Sequence, residues 1–346
     1  MKQKVILFFL LLFSKQIFGS AQEKLFQPNQ NYIATMSYYL ARKGFFAEIN
    51  CMLNGIIFCL HNNIKLNLIS DFFIYRQNCG WEDYFEPFTE TLNPSPSLKH
   101  FICDGLGATF NVIYNYDFLN INVPRLDLKP NDIFENKRKI AQLVYRYSER
   151  TKKLIDHIKA DVELPNDYVA FHIRRGDKVG EAKLDPQASI EAKKYPAKDY
   201  LEKLLNEKSL DTTTSASLRV NGFEIRNIFV CSDSYEAVEE LKNFIEEENL
   251  DIKIFTTCKP SNKGWSTKEK TEKFENKFYE VIRLIADTDI CLKSKYFVGT
   301  YSSNMSRFIT LMHDNTENCF SMDTFIDPFP TKLHEKFNYK NGWSHA

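Results

Sequence analysis

Four short, almost unbroken apolar runs mark the second half of the chain: YVAFHI at 168–173, NIFVCSD at 227–233, IKIFTTC at 252–258 and KYFVGTY at 295–301. Runs of this length without polar alternation are the signature of strands covered on both faces. Between them, at 197–207, 235–249 and 274–293, apolar residues recur at helical spacing and predict amphipathic helices. Strand and helix in alternation predict a parallel sheet with helices on both sides, and such sheets bind ligands at the carboxyl ends of their strands.

The first half is less regular. Residues 45–62 predict a helix and residues 64–75 a strand. The aromatic stretch CGWEDYFEPFTETLNPSPS follows, punctuated by Gly80, Pro87, Pro94 and Pro96 as loops are. A long helix is predicted over 131–160, capped by Asn131 or Asp132, with Ile140, Leu143, Val144 and Tyr147 on one face. No internal repeat is visible. Two polar stretches, 210–222 and 259–277, resemble linkers; the first reads as a surface excursion, the second as a solvated loop or a flap over a site.

Composition adds limits. With 45 Lys+Arg against 45 Asp+Glu in 346 residues, the chain has no global attraction for nucleic acid or an anionic membrane, so any anion site is local. Lys2 and Lys4 precede the apolar run 5–13, and Gly19 and Ala21 follow at a signal-peptidase spacing. Residues 1–21 therefore read as a cleaved signal peptide or a short signal anchor, with a buried N-terminal strand as the plain alternative, and any membrane attachment is through this segment alone. The expected location is the secretory pathway, in the Golgi lumen or secreted. The remainder divides into an N-terminal α/β domain at 22–165 and a C-terminal domain at 166–346. Eight cysteines include no CxxC pair, and HExxH is absent, so disulfides or buried thiols are expected rather than a metal site.

The chemistry concentrates in HIRRGDKVGE, which closes the 168–173 run. Successive strand residues point to opposite faces, so His172 and Arg174 share one side and Arg175 takes the other. A guanidinium at a strand end matches phosphate oxygens, whereas Arg175 with Asp177 could be a structural ion pair. Lys178 and Glu181 on the following turn suit a general base with its electrostatic partner, or a surface salt bridge. Farther on, TYSSNMSRF brings Ser302 and Ser303 to the start of a predicted helix, an anion site or a simple cap. Asp287 and Asp289 lie on the preceding helix, where an acid could bind a ribose or a guanine edge or be solvated. Asn304-Met305-Ser306 is a formal glycosylation sequon.

GWEDYFEPFTETL, HIRRGDKVGE, CSDSYEA and IADTDICLKSKYFVGTYSSNMSR, in this order and spacing over about residues 44–323, resemble the α-1,6-fucosyltransferase family. The resemblance implies an α/β GT-B-like fold: two facing Rossmann-like domains, with the parallel sheet of the C-terminal one binding GDP-fucose. It implies no cofactor and no metal, and as partners GDP-fucose and a glycan or glycoprotein acceptor. By the same resemblance Arg174 contacts the donor diphosphate, and His172, Arg175, Asp233, Asp287, Ser302 and Ser303 complete the donor site. Glu181 is the base for the acceptor hydroxyl, Lys178 its relay partner, and Asp177 a supporting residue. Gly176 stands where the family has threonine, and the interval before Glu181 is one residue shorter. The implied reaction is inverting transfer of L-fucose, α-1,6 to the GlcNAc of an N-glycan core. The alternatives are α-1,2 or protein O-fucosylation, or an inactive glycan-binding relative.

Overall fold

The structure is a computed structural model that describes residues 25–26, 30–40, 44–89, 98–103, 120–176, 194–207, 218–264 and 274–323. The leader, Asp177, Lys178 and Glu181 lie outside the described residues. Two compact units are present, one of residues 1–42 and 51–148, the other of 43–50 and 149–346.

The first unit carries a parallel sheet in the order β2-β1-β3, with β1 Ala34–Tyr39, β2 Ile64–Ile69 and β3 Lys99–Cys103. Helix α1, Phe45–His61, precedes β2 as the periodicity predicts. β2 is shorter than the expected 64–75 run because the chain turns at Ser70, whose carbonyl accepts the Phe73 amide at 3.1 Å. The chain then wraps around one carboxylate: Asp83 accepts the backbone amides of Gln77, Asn78, Cys79 and Gly80 at 2.7 to 3.2 Å. Gly80 has φ +76°, and a Cβ there would strike the Ser70 side chain, so only glycine fits. Trp81 stacks on Phe85 at 4.2 Å between ring centroids and donates its indole N–H to the Glu86 carbonyl. The GWEDYF block is thus a self-satisfied turn with a buried aromatic core.

The long helix expected over 131–160 is two helices, α2 Ile133–Val144 and α3 Glu149–Val162. Asp132 caps α2, accepting the Glu135 amide at 3.3 Å. The break follows from the next three residues. Tyr147 pairs with Phe85 in an antiparallel bridge, the Arg146 carbonyl accepts the Glu86 amide at 2.7 Å, and the Tyr145 ring lies 4.7 Å from Phe85. Extended pairing with the aromatic turn replaces helical hydrogen bonds there, and the unit ends at Ser148.

The second unit holds a five-stranded, all-parallel sheet in the order β10-β9-β4-β7-β8. Its strands are β4 Val169–Ile173, β7 Asn227–Ser232, β8 Lys253–Phe255, β9 Phe297–Gly299 and β10 Cys319–Ser321. The chain leaves β4 toward β7 and β8 and later returns to the other side of β4 with β9 and β10. This is the Rossmann-like order, with its switch point between β4 and β9. Helices α4 Ala197–Glu207, α5 Tyr235–Glu247, α6 Phe274–Lys293 and α7 Asn304–Met312 connect the strands. A parallel sheet in each of two helix-flanked units is the make-up expected of a GT-B chain. Between α4 and β7 a small ribbon, β5 Arg219–Val220 and β6 Phe223–Glu224, turns at Asn221-Gly222, both with positive φ. That Asn-Gly pair signals a hairpin, and the surface excursion expected at 210–222 ends in it.

Alternation along β4 and β7 sorts the core. Val169, Phe171, Ile173, Ile228 and Val230 pack with α4 and α5 through Tyr200, Leu204, Val238 and Leu241. The intervening residues, among them His172 and Cys231, point to the opposite face. His172 is the register partner of Cys231, so these two side chains lie side by side.

Candidate functional site

At the carboxyl end of β4 the alternation persists one step beyond the strand. Arg175 continues toward the α4 and α5 face, where its guanidinium donates to Glu240 Oε2 and to the Tyr195 carbonyl, both at 2.7 Å. Its side chain is 5 % exposed. The same Glu240 oxygen accepts the Ala197 amide at the start of α4, so one carboxylate holds both the arginine and a helix end. Arg175, expected among the donor-binding residues, thus spends its guanidinium on Glu240 and the Tyr195 carbonyl.

Arg174 takes the other direction and pairs with Asp233, just past the end of β7. Asp233 also accepts the Arg175 amide at 2.8 Å, which clamps the ends of β4 and β7 together. Asp233 thus orients Arg174. Gly264 donates its amide to the Asp233 carbonyl and has φ +97°. A Cβ on Gly264 would come within 2.9 Å of Gly176 backbone atoms. Glycine at 264 is what lets these two backbones touch. The described start of the 259–277 stretch is accordingly anchored against the site, with Lys263 bridged to Ser234.

His172 is buried, and its Nδ1 lies 2.6 Å from Ser306 Oγ on α7. Burial, with Arg174 adding to it, pushes the imidazole down to about 3, so the ring is neutral at physiological pH. Behind it, Asp287 on α6 accepts from Thr257 Oγ1 at 2.6 Å and faces the Cys231 thiol at 3.8 Å. Burial raises Asp287 to about 7, with the Thr257 hydrogen bond pulling the other way. Asp289, two residues on, is an ion-pair partner of Lys159 at 2.9 Å and belongs to the α3–α6 packing.

Ser302 and Ser303 do open α7, with Ser303 as the cap residue, although neither side chain caps the helix. Ser302 instead donates to Asp323 Oδ2 at 2.6 Å, and Asp323 also accepts the Tyr301 and Ser302 amides. This carboxylate, overlooked in the sequence, fixes the loop after β9. The sequon is occupied by packing: Asn304 Oδ1 accepts from Asn50 at 3.1 Å and from Arg307 at 2.9 Å. Ser306, its third member, is fully buried. Asn50, Thr257, Glu240 and Asp323 carried no sequence signal of their own, because each acts through a partner distant in the chain, and Ser306 was marked only as the end of the sequon.

Among the described residues no group of three or more His, Cys, Asp or Glu side chains is placed to hold a metal ion, and no helix is long and apolar enough to cross a membrane. All eight cysteines are free thiols, seven of them buried and Cys79 exposed.

Comparison with known proteins follows this geometry. A family model described as GDP-fucose protein O-fucosyltransferase matches residues 73–314. No match is found among curated proteins. Of the solved structures, NodZ α-1,6-fucosyltransferase soaked with GDP-fucose is 12% identical over 82% of this chain and 93% of its own, with a TM-score of 0.45. POFUT1 in complex with GDP is 11% identical over 84% of this chain and 98% of its own, at 0.47. A point mutant of Arabidopsis thaliana FUT1 in complex with GDP is 10% identical over 85% of this chain and 71% of its own, at 0.46.

Proposed function

The chain belongs to the GDP-fucose protein O-fucosyltransferase family, and we propose from this that it transfers L-fucose from GDP-fucose to a protein hydroxyl, with inversion at the sugar. The activity is GDP-fucose-dependent fucosyl transfer, and the acceptor is the finer part of the proposal. The observation that carries the donor half is the switch point between β4 and β9, inside the family-matched span, where His172 of β4 meets Ser306 of α7 and Arg174 follows at the strand end. The second unit then holds the donor: Arg174, oriented by Asp233, meets the diphosphate, and the neutral His172 and the loop after β9 supply uncharged donors.

The acceptor oxygen attacks the anomeric carbon from the face opposite GDP, its proton passing to a base as the C–O bond forms and the bond to the β-phosphate oxygen breaks. The β-linked donor gives an α-linked product. Glu181 is proposed as that base, Lys178 as its relay partner and Asp177 as a supporting residue; all three lie outside the described residues. Donors fixed on the departing diphosphate stabilise the charge that develops there. Asp287, held near neutrality by burial, is proposed to read the guanosine. We propose, from the leader reading of residues 1–21, that the enzyme acts in the secretory pathway, in the Golgi lumen or secreted.

The test is mass-spectrometric detection of one added deoxyhexose after incubating the full chain with GDP-fucose and a panel of folded secreted domains, N-glycans and galactosides. Fucose on a Ser or Thr hydroxyl supports the proposal. Fucose on the core GlcNAc replaces it with the α-1,6 linkage that the sequence resemblance implies. No transfer, with no GDP binding by calorimetry, overturns the donor-site reading.

A further inference from the structure

We propose that Ser306 is a positioning residue that fixes His172 as the tautomer protonated at Nε2, so that the ring offers a single N–H to an acceptor atom of the nucleoside diphosphate. Three contacts converge on the Ser306 hydroxyl. Oγ accepts the Thr300 amide at 3.2 Å and lies 2.6 Å from His172 Nδ1. It also sits against Gly299, where a Cβ would approach Oγ to 2.5 Å, so glycine is required at the end of β9 to admit it.

The direction of the hydrogen bond follows by elimination. Ser306 is fully buried, so its one hydroxyl hydrogen must find an acceptor within the protein. The Thr300 amide is a donor and cannot serve. Nδ1 is the only acceptor that a described residue presents to it, so the hydroxyl donates and Nδ1 accepts. Nδ1 then carries no proton. The doubly protonated ring is excluded by its burial, which lowers the imidazole to about 3. Nε2 therefore holds the hydrogen, and no described residue pairs with it.

A neutral N–H with its tautomer fixed selects an acceptor atom without adding charge. It complements Arg174, which supplies the charge. The choice of a nucleoside diphosphate as ligand rests on the donor-site reading above; the tautomer assignment does not.

The experiment is a long-range 1H–15N correlation spectrum of the full chain labelled with 15N-histidine, His172 being identified by the peaks lost in His172→Gln. Wild type is expected to show an unprotonated Nδ1 and a protonated Nε2, unchanged from pH 6 to pH 8. Ser306→Ala is expected to lose that preference and to bind GDP about tenfold more weakly, and Ser306→Cys, a weaker donor of similar size, to restore part of both. His172→Gln, whose amide N–H can take the place of Nε2–H, should retain more GDP affinity than His172→Asn. A wild-type ring protonated at Nδ1 overturns the proposal even if no variant folds. A Ser306→Ala protein with unchanged tautomer does the same. A changed tautomer with GDP affinity intact leaves the hydrogen bond standing and overturns the donor contact on which its use rests.

Discussion

The two faces of the C-terminal sheet come from the same residues of the same strands, yet one is apolar glue and the other is chemistry. Toward α4 and α5, Val169, Phe171 and Ile173 meet leucines, a valine and a tyrosine, and the buried charge of Arg175 is tied to Glu240. Toward α6 and α7, His172, Cys231, Asp287 and Ser306 hold buried polar groups whose hydrogen bonds are all specific. Burying an apolar residue is favourable without direction, whereas a buried polar group is tolerated only with its partner in place. The first face can thus stabilise the fold, and the second can be kept for function only because the first is there.

The comparison can be broken most strongly at Phe171. It is fully buried and its ring lies 6.1 Å from that of Tyr200. Phe171→Ala is expected to lower stability by about 3–5 kcal/mol, seen as a lower denaturant midpoint, with any folded fraction retaining GDP binding. Equal losses of affinity and stability would show that the two faces are not separable.

Arg174→Ala tests the other face. Transfer is expected to fall about 100- to 1000-fold with only a modest drop in melting temperature, because Asp233 keeps the Arg175 amide as a partner at 2.8 Å when the guanidinium is removed. Wild-type turnover in this variant would remove the central site assignment. Its neighbour gives the contrast: Arg175→Ala leaves Glu240 without its main partner and should reduce stability by about 1–3 kcal/mol. At a temperature where the variant is folded, its turnover is expected to stay within a few-fold of wild type.

The smallest effect is a pH dependence. Asp287 is raised to about 7 in the folded protein from an ordinary value of 3.8, so the native state holds a proton that the unfolded chain releases. Its contribution is neutral below pH 4, becomes destabilising as pH rises through that window and levels off above 7. Asp287→Asn should flatten this decline and raise stability at pH 8 by on the order of 1 kcal/mol, measured by denaturation at pH 5 and pH 8. His172 acts oppositely. Lowered to about 3 from 6.5, it favours the fold above pH 6.5 and loses that contribution as pH falls toward 3, so His172→Gln should soften acid unfolding.

The sequence by itself determined the parallel sheet, its covering helices and the strand end on which the chemistry sits. Apolar runs and helical spacing are local consequences of what each face must bury, and they do not depend on the rest of the chain. The split of β4 into two facing sets was legible for the same reason, since alternation is a property of the backbone. What only the tertiary structure decided is which polar group meets which. Tyr147 leaves a helical pattern because Phe85 offers it a bridge. Gly264 is glycine because the Gly176 backbone lies against it. Arg175 is structural because Glu240 comes from another helix, and Ser306, one serine among three in a short run, matters because a fold of long sequence separation brings His172 within 2.6 Å of it. Hydrogen bonds have range and direction, and neither is written in the order of residues.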